Sequence, residues 1–504
     1  MVPFLIAFVG ACLILPRLGE QRLWQDEAQS ALLARTVIDT GVPRGHSGSN
    51  SLSQEDGAEF GKSDVWHWHP WLFFYLVALS FKCFGQTTFA ARLPSALFGI
   101  ALLLLTYGFV KKRWRSPNLG LLAAAILGSN VTFVLLSRQC RFYTLSAFLA
   151  LWALDAYFDT LDLKPNAPYS LFASLVLLLH TFHFFYAVVV AALIFHAVWP
   201  ARKSSRTALW AILLSFAINL PWMLWFRTLA FFSHHSPSST RSFQISFLVD
   251  RGEQFILSFV QQAVGLPWFM TALLLFIVDW RQIPFLRQKR AQDKELALIG
   301  IFVITQLVLA TVLAPAPYIR YLTCILAPGA VLAALVVRKV FRWNRSLGIA
   351  LLLVGIGSRP IALYAYEMAF GAQGTVDWLV EFFEQHGRPN EVVLTNYEDM
   401  PLKFYTPMRV IGGLSGEDLS AARQADWLVL LQHVYSSSKR AERIPQFVTN
   451  QLKQEDYEEI RSPFPDSMQQ NREELAAHAF RTPEGPPYLI LFHRIRRNKQ
   501  RSID

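Results

Sequence analysis

Long uninterrupted apolar runs dominate the first 366 positions of the chain. Ser95–Val110, Leu119–Leu136, Leu296–Leu313 and Leu347–Tyr364 each approach the ~20 apolar residues that carry a helix across a bilayer. Short basic clusters separate them: Lys111 to Arg115, Arg202-Lys203 with Arg206, Arg281 to Lys294, and Arg338-Lys339 with Arg342 and Arg345. Cytoplasmic loops collect such lysines and arginines, so these four clusters are assigned to the cytoplasm. Helices are expected between them at 89–110, 117–137, 142–160, 169–181, 184–198, 207–229, 254–279, 296–314, 321–338 and 346–366. With the first apolar segment, Val2 to Leu15, this makes about eleven crossings. The N-terminus then lies inside, and the loop 17–88 and everything beyond residue 366 lie outside.

Two segments depart from simple spans. Pro70–Phe84 is too short to cross comfortably, and its neighbourhood carries Trp66, Trp68, Trp71 and Tyr75. It reads as an interfacial helix with aromatic rings at headgroup depth. The run 169–198 is too long for one crossing, yet both flanks are cytoplasmic in this scheme. Two short helices meeting near His180 and His183 solve that, and a break inside a membrane is tolerated where it lines a polar cavity.

Past Phe370 the pattern becomes that of a water-soluble fold. "TVDWLVEFFEQHG" has helical periodicity, "EVVLTN" and "ADWLVLLQ" read as strands, "IPQFVTNQLKQ" as a helix and "PYLILFH" as a last strand. Alternating strands and helices imply a small α/β domain over 367–504, outside the membrane.

Composition agrees with this division. Of 504 residues 53% are hydrophobic and only 16% charged, and the mean hydropathy is +0.30. The net charge of +11 comes from the short clusters between apolar runs, so it marks topology and not nucleic-acid binding. Cys12, Cys83, Cys140 and Cys324 fall in apolar segments, which argues against a disulfide framework or a zinc site. The first apolar segment lacks a basic lead-in and a small-residue cleavage pattern, and is expected to be retained as a helix. The soluble domain has no glycine-rich phosphate loop of the dinucleotide type, which argues against a nucleotide sugar bound there.

Charged residues within or beside membrane segments are functional candidates. Asp26 and Glu27 follow the first helix. His67 and His69 precede the interfacial helix and Arg92 begins the next span. Arg138 and Arg141, with Tyr143, lie in the tight outer turn "SRQCRFY". His180 and His183 flank the broken helix, and Arg320-Tyr321 begin a late span. Each has a plainer reading: an arginine at a helix end snorkels to headgroups, a buried histidine sits satisfied in a core, and Asp26 caps the helix "EAQSALLARTVI". Together they make a basic-lined pocket with one carboxylate pair on the outer face, away from ATP and nucleotide sugars. A donor delivered by the membrane fits such a pocket. Arginines would hold a polyprenyl phosphate as leaving group, and a carboxylate would take the proton of an acceptor hydroxyl.

The order "LWQDEAQSALLAR", "HWHPWLFFYLVALSFKCFGQTTFAARLPSALFGI", "SRQCRFYTLSAFLALWAL" and "PYIRYLTCILAPGAVLAAL" resembles membrane glycosyltransferases of the GT-C class. The resemblance is to glycosyltransferase family 39, which includes protein O-mannosyltransferases and bacterial lipid A aminoarabinose transferases, and it covers residues 1–366. It implies that Asp26 is the catalytic base, with Glu27 beside it. The family's His-Pro-Pro motif falls on His69-Pro70, with Trp71 replacing the second proline. Its phosphate-facing arginine falls on Arg138 or Arg141. Two departures bear on substrate. Tyr143 stands near the position where protein O-mannosyltransferases carry an aspartate, which argues against protein mannosylation and leaves a divalent metal without a second carboxylate. "HTFHF" replaces the Thr-Lys-Gly of aminoarabinose-transferase-like members.

The expectation is therefore a polytopic helical membrane protein of the GT-C fold in the cytoplasmic membrane. It would carry out an inverting sugar transfer from a polyprenyl phosphate to a lipid, glycan or protein hydroxyl. The catalytic carboxylates would be Asp26 and Glu27, and the substrate-binding set His67, His69, Arg92, Arg138, Arg141, Tyr143, His180, His183, Arg320 and Tyr321, with no metal ligand. An oligosaccharide ligase and a lipid flippase are the alternatives. A flippase would spread its charges along a path through the bilayer, whereas these gather on one face.

Overall fold

The structure is a computed structural model, and it describes residues 1–199, 205–226, 228, 245–279, 293–357, 359–371, 373–432, 442–463, 465–466, 470, 472–473, 478 and 488–495. The basic clusters at 202–203 and 281–292, and the start of the expected last strand, lie outside the described residues.

Among the described residues five helices are long and apolar enough to cross a membrane: Thr88–Trp114, Arg206–Trp225, Ile245–Leu274, Lys294–Leu313 and Ile319–Trp343, the last opening as a 3-10 turn over Ile319–Ile325. Two bent pairs raise this to seven if each is one span. Val2–Ile14 (α1), Leu72–Phe84 (α3), Ala167–Thr181 (α8) and His183–Val198 (α9) are shorter apolar helices. Gln25–Thr40 (α2) lies between α1 and α3, and Thr88–Trp114 is α4. Large apolar side chains such as Trp210, Leu213, Leu214 and Phe216 stay exposed, as expected of a surface that meets lipid.

The expected single helix over 117–137 is two. Pro117–Gly128 (α5) and Val131–Ser137 (α6) meet at 72°. The hydrophobic run gave no sign of this, but Asn130 restarts the helix by accepting a hydrogen bond from the Phe133 backbone N–H at 2.9 Å. Its amide also donates to the Gln262 and Ala263 carbonyls, satisfying backbone at a wide, π-type turn over Phe259–Gly265. The other expected break is present: Phe182, at φ −161° and ψ 116°, separates α8 from α9.

The turn after α6 is fixed from both sides. A Cβ on Gly99 would come within 2.5 Å of Ser137 Oγ, so glycine there lets α4 and α6 touch just before Arg138. Ser95 Oγ then donates to the Arg141 carbonyl at 2.7 Å, and Thr144 Oγ1, in Tyr143–Leu161 (α7), donates to the Ser95 carbonyl at 3.0 Å. On the face away from this turn, Arg113 pairs with Asp155, Asp159 and Asp162, so this basic cluster is matched by acids at the end of α7.

The C-terminal part is built on a five-stranded sheet. Numbering after a small hairpin, His46–Ser47 (β1) with Asn50–Ser51 (β2), its strands are Val392–Thr395 (β3), Arg409–Gly412 (β4), Trp427–Val429 (β5), Tyr457–Arg461 (β6) and Ile490–Arg494 (β7), in the order β4-β3-β5-β7-β6. β3 is parallel to β4 and β5, and β7 is antiparallel to β5 and β6. Alternation along β3 sends Val393 to one core, with Leu379 and Phe383 of helix Thr375–His386, and Leu394 to the other, with Ile444 of helix Arg443–Gln451. The strands β4 and β6 and the helix Asp399–Tyr405 were not expected from the sequence. That short helix buries Met400 and Phe404 in the core of the membrane domain, so it joins the two parts. Gln25 exchanges hydrogen bonds with it, donating to Asp399 Oδ1 at 2.7 Å and accepting from the Met400 N–H at 3.2 Å.

Candidate functional site

Residues 15–24 link α1 to α2, whose N-cap is Trp24, not Asp26. Asp26 is therefore free of the capping role the sequence suggested. Glu27 takes it, accepting from the Trp24 N–H at 3.4 Å. Both carboxylates occupy the first turn, where the helix dipole favours negative charge.

Glu27 and Asp26 have separate environments. Glu27 is fully buried and bidentate to Arg92, with Nε at 2.8 Å and Nη2 at 2.7 Å, and it also accepts from the Cys140 N–H at 2.7 Å. The remaining Arg92 protons go to the Leu18, Gln21 and Arg22 carbonyls. All five donors of this guanidinium are thus used inside the protein. The pair ties the first loop to α4 and to the turn after α6, and leaves neither member facing a ligand.

Asp26 retains 24% of its side-chain exposure and accepts from Arg320 Nη1 at 2.8 Å. Burial pushes its carboxyl up, but Arg141, Arg320 and Arg472 outweigh that and hold it below the usual aspartate range. It is a carboxylate at neutral pH. With it, a cavity of about 120 Å³ is lined by Gln29, Glu55, Glu59, Trp68, His69, Arg141, Phe142, Tyr143, Phe182 and Tyr321, among others.

Of the expected site, then, Asp26, His69, Arg141, Tyr143 and Tyr321 share one cleft, and Arg320 reaches it through Asp26. Arg141 Nη1 donates to the Asp26 carbonyl at 3.1 Å and to Ser30 Oγ at 3.0 Å. The His69 ring packs on Phe142 and Phe182, with centroids 5.5 and 6.2 Å apart.

The other expected residues sit elsewhere. Arg138 caps the end of α1, donating to the Ile14, Pro16 and Arg17 carbonyls, a place a cation favours at a helix C-terminus. This separates it from Arg141, with which the sequence left it interchangeable. His67 is buried against its own loop, its Nδ1 3.2 Å from the Val65 carbonyl. His180 packs its ring on Trp222 and Phe226, and buried His183 packs on Phe182. The helix break does reach the cleft, but through the Phe182 ring and not through its histidines.

Two groups were missed. Glu59 is buried in the first loop, accepts from Ser53 Oγ and from the Gln54 N–H at 2.6 Å, and is pushed up to about 7 by burial. It lies in a polar loop without periodicity, where only a carboxylate near the His-Pro motif could have drawn attention. Arg472 and Glu473 come from the C-terminal part, more than 440 positions from Asp26, and no local pattern links them. Among the described residues no group of three or more His, Cys, Asp or Glu side chains is placed to hold a metal ion.

Residues 68–225 match the family model for dolichyl-phosphate-mannose-protein mannosyltransferase. No curated protein matches the chain in sequence. In structure, the chain is similar to ArnT from Cupriavidus metallidurans bound to undecaprenyl phosphate, at 13% identity and a TM-score of 0.56, over 97% of this chain and 96% of that one. The fold is the GT-C fold. It is also similar to the archaeal oligosaccharyltransferase AglB from Archaeoglobus fulgidus in complex with an inhibitory peptide and a dolichol-phosphate, at 12% identity and a TM-score of 0.52, over 85% of this chain and 69% of that one. The stretch 68–225 spans His69, Arg141 and Phe182, and so contains much of the wall that faces Asp26 in this GT-C fold.

Proposed function

We propose that the protein is a membrane glycosyltransferase that moves a sugar from a polyprenyl-phosphate donor to an acceptor hydroxyl on the extracytoplasmic side. One observation carries the reading. A partly exposed carboxylate, Asp26, shares a cleft with Arg141 and is paired behind it with Arg320, while its neighbour Glu27 is sealed away with Arg92. The GT-C fold supports it, as does the chemistry named for the proteins it resembles, one bound to undecaprenyl phosphate and one to a dolichol-phosphate.

In this reading the acceptor oxygen attacks the anomeric carbon from the face opposite the phosphate, and Asp26 takes its proton. The bond from the anomeric carbon to phosphate oxygen breaks with both electrons staying on the phosphate, so configuration inverts. Arg141 and Arg320 stabilise the charge gathering on the departing polyprenyl phosphate, a preorganised electrostatic contribution. At rest, the same arginines make Asp26 a weak base. A donor phosphate that draws their charge restores its basicity as the acceptor arrives. Aromatic rings of Trp68, Phe142, Tyr143 and Phe182 offer faces for a sugar. The topology in this reading is about eleven crossings of the cytoplasmic membrane, N-terminus inside, with the α/β domain over 367–504 outside.

The test is transfer by the purified protein in nanodiscs, using polyprenyl-phosphate hexoses and pentoses with lipid, glycan and peptide acceptors. Transfer with an inverted product supports the reading. Transbilayer movement of the lipid-linked sugar without transfer would replace it with a flippase.

A further inference from the structure

The C-terminal domain brings two charged side chains to the residues behind Asp26, Glu473 to Arg320 and Arg472 to Trp24, and the proposed transfer uses neither. Glu473 is fully buried. It accepts from Gln139 Nε2 in the outer turn at 3.1 Å and forms an ion pair with Arg320 Nε at 2.5 Å. Arg320 turns its other end, Nη1, to Asp26. One guanidinium is therefore divided between two carboxylates, one from the membrane domain and one from the soluble domain. Arg472 is also buried. Its guanidinium lies 4.4 Å from the Trp24 ring centre, and that of Arg320 lies 5.3 Å from the same ring. Trp24 is the N-cap two positions before Asp26, so both cations are gathered around the start of α2.

Arg472 and its described neighbours Gln470 and His478 have fixed partners. The Arg472 carbonyl meets His478 Nε2 at 2.5 Å, and His478 Nδ1 meets Glu367 Oε1 at 2.9 Å, in the helix Arg359–Phe370. Gln470 Nε2 donates to Glu398 Oε1 at 2.5 Å. Burying such charges is costly unless they are matched, and for Glu473 the match is made across the domain boundary with Arg320 and Gln139.

We propose that Arg472 and Glu473 tune the basicity of Asp26 in opposite directions. Arg472 adds positive charge that favours the carboxylate, and Glu473 competes for Arg320 and so keeps Asp26 able to accept a proton. The other charged or titratable groups facing Asp26 are Arg141 and Tyr143 of the outer turn, Arg320 and Tyr321 of the late 3-10 turn, Glu55 and Glu59 of the first loop, His69 before α3, and Tyr397 of the soluble domain. Arg472 and Glu473 are positioning residues in this scheme, and their part in turnover rests on the reading of Asp26 as the base.

The full-length protein in nanodiscs tests it. The Asp26 carboxylate is titrated by infrared difference spectroscopy against Asp26→Asn, and the acid limb of kcat/KM is recorded alongside. Arg472→Gln raises the titration midpoint by about one pH unit and Glu473→Gln lowers it by about as much, while Arg472→Lys keeps the parent value. The glutamine at 473 still offers Arg320 an oxygen, so the ion-pair geometry survives loss of the charge. Midpoints that stay put, or that move the same way in both glutamine variants, overturn the proposal and leave the segment a structural strap. Opposite infrared shifts with no turnover from any polyprenyl-phosphate sugar uphold the tuning and overturn only the transferase reading.

Discussion

Glu27→Gln separates a structural carboxylate from a chemical one. The wild-type side chain makes two charge-assisted bonds to Arg92 at 2.8 and 2.7 Å, plus the Cys140 N–H at 2.7 Å, with no exposure. The amide keeps one acceptor oxygen, loses the charge and turns an N–H₂ group toward a guanidinium. Arg92 is then left as a buried cation with no carboxylate partner. Removing one member of such a pair costs about 3–5 kcal/mol. The loss falls on the first loop, since Arg92 also holds the Leu18, Gln21 and Arg22 carbonyls. Equilibrium unfolding in mixed micelles of increasing denaturing detergent measures it, with Arg92→Met and the double variant completing a cycle. The double variant is expected to lose clearly less than the two single losses together, because neither charge is then stranded. Activity per folded molecule should fall far less for Glu27→Gln than for Asp26→Asn. A Glu27→Gln protein of parental stability that does not turn over would refute the reasoning and put Glu27 among the reacting groups.

Three further outcomes follow from the same geometry. Arg141→Ala should weaken donor binding, read by isothermal titration with polyprenyl phosphate, while Arg138→Ala should leave it unchanged and lower thermal stability by releasing the end of α1; equal effects on donor affinity would undo the separation of the two arginines. Glu59 gives a pH signature. Its carboxyl is raised from 4.5 to about 7, so the folded protein binds the extra proton between those values, and stability falls as pH rises through that window. At about 1.4 kcal/mol per pH unit this comes to about 3 kcal/mol, so Glu59→Gln should match the parent near pH 4 and be the more stable protein above pH 7; parallel melting curves across that range would contradict it. Gly99→Val should displace Ser137 and the following turn, lowering both stability and donor affinity, because its Cβ alone would lie 2.5 Å from Ser137 Oγ.

What could be read from the sequence followed from length and charge. The break at Phe182 was legible because the run 169–198 exceeds one crossing and falls short of two full ones. The bend at Ser129–Asn130 was not, since Asn130 is one polar residue in an apolar stretch and its meaning lies in the π-type turn it contacts 132 positions away. Asp26 was found as a carboxylate leaving a membrane segment. Its difference from Glu27 was invisible, because adjacent helical residues point about 100° apart and only packing decides which of them meets Arg92. Arg92 itself stood out as a charge in an apolar helix, but a sequence cannot tell a buried clamp from a ligand contact. Glu59, Arg472 and Glu473 were missed for the same reason: each becomes important only when a loop or a distant domain closes over the cleft.

The central claim is that Asp26 takes the acceptor's proton. Single-turnover transfer from a polyprenyl-phosphate sugar by Asp26→Asn, compared with the parent in the same nanodiscs at saturating donor, tests it most directly. The account predicts a rate lower by about 10²-fold or more, with parental unfolding behaviour. A rate within a few-fold of the parent, from a protein equally well folded, would contradict it.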